Sequence, residues 1–289
     1  MNKVKRLLMT ILTSGIATIL SFLISFILTP YITNKLGVEA YGFVTLAKNF
    51  TQYATIITIA LNSYAARYIT VSYHNNDMEK AQEYISSVYY GDVAISAVIM
   101  IVAGGFILFL DRILNVSLEL VISVKLLFLF VFLGFVLTTV GTSYTAAAYI
   151  KNRLDIVGIF RSLSYIFEVL FYVVVFAFFT PEVWQVGVAI CIAQLVIFGG
   201  NYYIYKKYTH CLKIEWFTFY PTLLRTIISC TCMTISFTLI AKTLNPNTWV
   251  SFVLTAILCG VIGCIIHLVF VFSRDEKSRI LVIIKSKEK

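Results

Sequence analysis

Lys48, Gln52 and Thr55, with Asn62 two helical turns further on, fall on one face of a long apolar run. A second run carries Arg161, Tyr165, Glu168 and Tyr172 on one face, and a third aligns Gln194, Asn201 and Tyr205. The first run of the chain adds Ser14, Thr18, Ser21 and Ser25 at helical spacing. These residue types bind rather than break bonds: cations hold an anion, while amides and tyrosines hydrogen-bond and stack. A charge in lipid costs several kcal/mol unless it snorkels, pairs or meets water. Each stripe must therefore face another helix or water, and a central hydrated cavity accounts for all four. The candidate cavity residues are Lys48, Gln52, Thr55, Asn62, Arg67, Arg161, Tyr165, Gln194 and Asn201. Glu168, near the middle of its run, needs a cation partner, a wet cavity or a proton, which makes it the candidate for binding a coupling proton or sodium ion. Simpler readings stand beside these. Lys48 could snorkel outward, Arg67 and Arg161 could anchor at the membrane interface, and the serines and threonine of the first run could serve close helix packing.

The composition sets the class. Of 289 residues, 60% are hydrophobic and 13% charged, and the mean hydropathy is +0.89. A soluble domain carries about a quarter charged residues, so the fold class is all-α and polytopic in a membrane. The formal charge of +9 lies in loops and tails between apolar runs. That placement fits attraction to anionic lipid, and no nucleic-acid partner is expected. Six cysteines, mostly inside apolar runs, read as small buried residues, since Cys230-x-Cys232 lacks zinc spacing and no His pair accompanies it. His74, His210 and His267 are far apart, and no glycine-rich phosphate loop precedes a Lys-Ser/Thr pair. No enzyme chemistry, metal or cofactor is expected.

Eight runs reach the roughly 20 residues that a hydrocarbon core requires. They are Leu7–Pro30, Tyr41–Tyr64, Tyr89–Leu110, Val121–Tyr144, Ile156–Phe179, Val183–Tyr205, Leu223–Leu244 and Trp249–Phe272. The run after the basic Met1–Arg6 spans a bilayer without a cleavage box, so it reads as the first transmembrane helix. With the N-terminus inside, the outer side holds only Lys35, Arg112, Lys125 and Lys242 among the assigned cations, which places both termini in the cytoplasm. Pro30 closes the first helix, and Gly37 accepts a positive φ in the polar link Thr33–Glu39. Asn76 is expected to cap the third helix, with Asp77 and Glu79 in its first turn. Gly104-Gly105 and Gly199-Gly200 read as packing or bending sites. Ser273–Glu276 has capping-box spacing, and Arg279–Lys287 reads as a basic amphipathic helix on the inner leaflet.

Pro30-Tyr31 followed by Leu36-Gly37-Val38-Glu39-Ala40-Tyr41-Gly42 resembles the link between the first two helices of the polysaccharide-export flippases. These are the bacterial O-antigen and capsule-repeat flippases, relatives of the lipid II flippases and the multidrug and toxin extruders. NSYAARYITVSYHNND at Asn62–Asp77 and YIKNRLDIVGIFR at Tyr149–Arg161 continue the resemblance over most of the first 210 residues. It implies flipping of an isoprenoid-diphosphate-linked oligosaccharide across the bacterial cytoplasmic membrane. Fixed cations would hold the diphosphate, while tyrosines and amides meet the sugars.

The family is similar throughout in having about fourteen helices, as two six-helix lobes and a closing pair. Here residues 1–212 resemble the N-terminal lobe, 213–272 two further helices, and 273–289 a basic tail. The expectation is an internal loss of most of the second lobe, near Cys211–Tyr220. A lobe alone would need a second copy or a separately encoded second lobe. Two alternatives stay open: a shortened, non-transporting subunit or remnant, and an ion-coupled small-molecule extruder. A glycan polymerase or glycosyltransferase is disfavoured, because the outer loops are short.

Overall fold

A computed structural model describes residues 3–209, 212–214, 232, 235–237, 239–240, 255, 258–259, 261–263 and 265–266; side chains at 3–4, 56–57 and 59–65 are outside this description. The chain divides into two compact units, Met1–Thr218 and Phe219–Lys289. In the second unit the described residues are helical. The bounds expected for its two helices, the capping box at Ser273 and the tail lie outside the described residues.

The first unit is built from α1 (Lys3–Leu36), α2 (Val38–His74), α3 (Met78–Leu108), α4 (Leu110–Ile113), α5 (Val121–Tyr144), α6 (Ala146–Ile150), α7 (Leu154–Phe178) and α8 (Val183–Tyr208). Five described helical stretches are long and apolar enough to cross a membrane: Lys5–Leu36, Met78–Leu108, Val121–Ile150, Leu154–Phe178 and Val183–Tyr208. The protein is therefore an all-α, polytopic membrane protein. The α2 helix has the length, with 37 residues, but its polar positions keep it out of that group. Apolar side chains such as Phe26, 83% exposed, and Ile101, 76% exposed, point outward. Such a surface suits hydrocarbon rather than water.

Six long helices form a ring in the order α1, α7, α8, α5, α3, α2, in which α5 also packs directly on α2. The α1–α2 contact that closes it is slight. Small residues bring the backbones together. A Cβ on Gly187 of α8 would stand 2.9 Å from the Leu127 carbonyl oxygen of α5, and one on Gly158 of α7 would meet the Thr13 hydroxyl of α1 at 2.7 Å. Gly200 holds α8 against Phe160 of α7 in the same way, whereas Gly199, Gly104 and Gly105 border open space. In a membrane this close approach gives the van der Waals contact that replaces a hydrophobic driving force.

The link between α1 and α2 is tighter than expected. Pro30 does not close α1, which runs through it to Leu36. Proline inside a membrane-length helix is tolerated where neighbouring groups take up the freed carbonyl. The reversal falls on Gly37 alone, with φ 90°. Between α2 and α3, Asn76 is not the cap. It takes φ 60° and finishes the last turn of α2, while the Asp77 side chain accepts from the Lys80 amide at the start of α3. Two charge-to-ring contacts fix the other end of the ring: Lys151 donates to the Tyr73 hydroxyl at 2.8 Å, and Arg153 to that of Tyr208 at 3.0 Å.

Candidate functional site

The centre of the ring is a cavity of about 510 Å³, lined from α1, α2, α5, α7 and α8. Four of the sequence-derived candidates meet there with Thr55 at one end: Lys48 and Gln52 from α2, Tyr165 from α7 and Gln194 from α8. Glu168 lines it too, so a cation and a carboxylate share one chamber. Among the described residues no ion pair within 4.0 Å joins Lys48 to Glu168. Glu168 instead accepts at Oε1 from the hydroxyl of the buried Tyr172, at 3.3 Å. The cation and the carboxylate line one cavity without pairing to each other among the described residues. The helix spacing explains the convergence: Tyr165, Glu168 and Tyr172 follow the i, i+3, i+7 stripe of α7, and Lys48 and Gln52 that of α2.

Further residues of α1 and α2 complete the lining. Tyr41 hydrogen-bonds Thr29 at 2.8 Å across the α1–α2 hinge, and Ser21 and Ser25 present the hydroxyl stripe of α1. The other two members of that stripe, Ser14 and Thr18, are exposed and outside the lining.

A second cavity, of about 570 Å³, lies further along α2, between it, α5 and α6. It contains Arg67 and a set of threonines, and it shares Thr55 and Thr138 with the first. Thr138 of α5 donates to Oε1 of Gln194 on α8 at 2.7 Å, beside the shared wall. The spacing of Thr138 and Thr142 on α5, with Thr145 just past its end, was a legible signal. It went unread because neutral hydroxyls, unlike charges and amides, can satisfy themselves on their own helix in lipid.

Two candidates stand elsewhere. Arg161 is exposed and lines neither cavity. Asn201 is buried, 3% exposed, outside both linings, and among the described residues its Oδ1 accepts no hydrogen bond. The Asn62 side chain lies outside the described residues. Tyr205, third on its stripe, donates to the Leu212 carbonyl and secures the end of α8.

Comparison with known proteins follows the same outline. A relative from Bacillus subtilis (strain 168), the uncharacterized membrane protein EpsK, is 34% identical over 203 residues. Those residues are 70% of this chain and 39% of EpsK, so the chain matches well under half of that relative's length. No solved structure matches significantly. Residues 7–245 match the family described as polysaccharide biosynthesis protein, and with more than half of the sequence so covered, the chain belongs to that family.

Proposed function

We propose that this protein helps move an isoprenoid-diphosphate-linked oligosaccharide across the bacterial cytoplasmic membrane for cell-surface polysaccharide synthesis. The observation that carries this reading is Lys48, a cation in the central membrane cavity with no ion pair among the described residues. Moving a diphosphate lipid requires its charge to stay away from hydrocarbon while its tail remains there, and a wet cavity holding a fixed cation provides that. Gln52, Tyr165 and Gln194 supply hydrogen bonds and ring faces for the adjoining sugar. Glu168 is the group for a coupling proton or sodium ion. With both termini cytoplasmic, the charged cavity lies toward the outer half of α2 and the threonine cavity toward the inner half. The exposed polar positions Lys48, Asn49 and Gln52 on α2 and Ser25 on α1 support a second lobe facing them, from another copy of this chain or a separate one.

Binding of a fluorescent isoprenoid-diphosphate oligosaccharide to the protein in nanodiscs tests this. Lys48→Ala should weaken it by about tenfold or more, the loss expected for one charge-assisted contact. Equal affinity in folded wild type and variant overturns the reading, and binding by neither favours a non-transporting subunit. The extruder reading draws on Glu168: it requires protection against cationic dyes that depends on Glu168 and not on Lys48. Under the flippase reading, Glu168→Gln abolishes ion dependence; unchanged ion dependence removes Glu168 from that role.

A further inference from the structure

The second cavity has a chemistry of its own. Seven of its lining residues are threonines, accompanied by Arg67 and Tyr149, and no carboxylate is among the described lining residues. The direction of the hydroxyl hydrogens decides what the chamber offers. Thr55 donates to the Thr51 carbonyl at 2.7 Å, Thr70 to Ala66 at 2.7 Å and Thr145 to Thr142 at 2.6 Å. A threonine hydroxyl has one hydrogen. With it committed to the helix backbone, these oxygens face a ligand as acceptors. Arg67, exposed along the same lining, contributes only donors.

We infer that this threonine chamber is a sugar-binding subsite, separate from the Lys48 cavity, which takes the hydroxyl-bearing head of the lipid-linked glycan. The inference rests on the translocation reading for the presence of the lipid, but not for the chemistry of the chamber. Sugar hydroxyls donate and accept at once, so they match threonine acceptors together with guanidinium donors. A bare metal cation matches the acceptors but is repelled by Arg67 and finds no carboxylate among the described lining residues. An isolated diphosphate would find one cation and a wall of acceptors, which repel it. At about 570 Å³ the chamber falls within the roughly 300–1,000 Å³ usual for small-molecule sites. Because Thr55 and Thr138 belong to both linings, a diphosphate near Lys48 and a sugar among the threonines would lie on adjoining parts of one path.

The test uses the double variant Thr70→Val/Thr145→Val, which removes two oxygens and keeps the side-chain shape, beside Thr70→Ser/Thr145→Ser, which keeps the oxygens. Three probes are titrated against the full chain in nanodiscs: isoprenoid-diphosphate oligosaccharide, bare isoprenoid diphosphate, and the free oligosaccharide. The valine pair should weaken the glycan-bearing lipid about tenfold, leave bare isoprenoid diphosphate within twofold, and lose the free glycan. The serine pair should behave as wild type. Equal weakening of both lipids, or of neither, overturns the sugar subsite. So does loss of sodium binding in the valine pair with glycan affinity unchanged, which would make the chamber a cation site. Wild type that binds bare diphosphate with no gain from the glycan overturns the subsite and spares the translocation reading. Wild type that binds free glycan through the threonines but neither lipid does the reverse.

Discussion

The two cavities are built against the same pair of helices and are nearly equal in volume, about 510 and 570 Å³, yet their walls differ in kind. Along α2 the first takes Lys48, Asn49 and Gln52, and the second Thr58, Arg67 and Thr70. The first reaches α7 and so gains Glu168, whereas the second stops at α5 and α6. The first cavity thus holds a cation and a carboxylate among five helices, and the second a single cation among neutral hydroxyls. The difference follows from the cost of charge. An ammonium or carboxylate in lipid needs water or partners on many sides, while a threonine satisfies its only donor on the preceding turn. On the proposed reading, the first unit places a site for an anion beside a site for a sugar, with no paired carboxylates among the described lining residues of either.

The contrast breaks most severely if the sign of the first cavity is reversed. Lys48→Glu would set two carboxylates in one chamber, and binding of bare isoprenoid diphosphate should fall by roughly 100-fold. Free glycan should be unaffected, as read by titration in nanodiscs. Next comes the frame that separates the chambers. Gly187→Val would press a branched side chain on the Leu127 backbone, where even a Cβ would stand 2.9 Å from the carbonyl oxygen. A destabilisation of about 1–3 kcal/mol is expected from overpacking, seen as a lower melting temperature in detergent. Gln194→Leu removes the acceptor that Thr138 uses at 2.7 Å beside the shared wall. It should cost about 1 kcal/mol and weaken both ligands together, in contrast to the selective effects of Lys48 and Thr70.

The smallest effect lies outside the membrane. The hydrogen bond from Lys125 to Asp111, at 2.6 Å, holds the Asp111 carboxyl below the usual carboxylate range. A carboxylate with a depressed folded pKa stabilises above its unfolded value, and that stabilisation disappears as pH falls through the folded value. Wild type should therefore melt slightly above Asp111→Asn at neutral pH, and the gap should close in acid below the ordinary aspartate value. Melting curves of the two proteins over that range provide the check, and a gap that widens in acid would contradict it.

Much of the first unit was legible because membrane helices announce themselves by length and hydropathy. The bounds Val121–Tyr144 and the start at Val183 are the observed ones, and Gly37 has the positive φ read from its type. Helix ends were less visible. The α2 helix runs to His74 and α8 to Tyr208, beyond the apolar runs, because helical hydrogen bonding continues where the hydropathy signal stops. Pro30 read as a terminator for the same reason, since the tolerance of a proline is decided by neighbours. Within the site, angular position on a helix was readable and axial position was not. Asn201 shares a face with Gln194 but sits seven residues on, about 10 Å along the axis, past the end of the cavity lining. Arg161 precedes Tyr165 by one turn and likewise falls outside it. Lys48, Gln52, Tyr165, Glu168 and Gln194 have both the face and the depth.

The central claim is that a cation kept in this membrane cavity carries a diphosphate lipid through the bilayer. Transbilayer movement of a fluorescent isoprenoid-diphosphate oligosaccharide in vesicles tests it most directly, with wild type, Lys48→Arg and Lys48→Gln reconstituted side by side. The account predicts movement by wild type, retention of most of it by the arginine variant, and at least a tenfold slower rate for the glutamine variant. Movement at one rate in all three, with each protein shown to be folded, would contradict it.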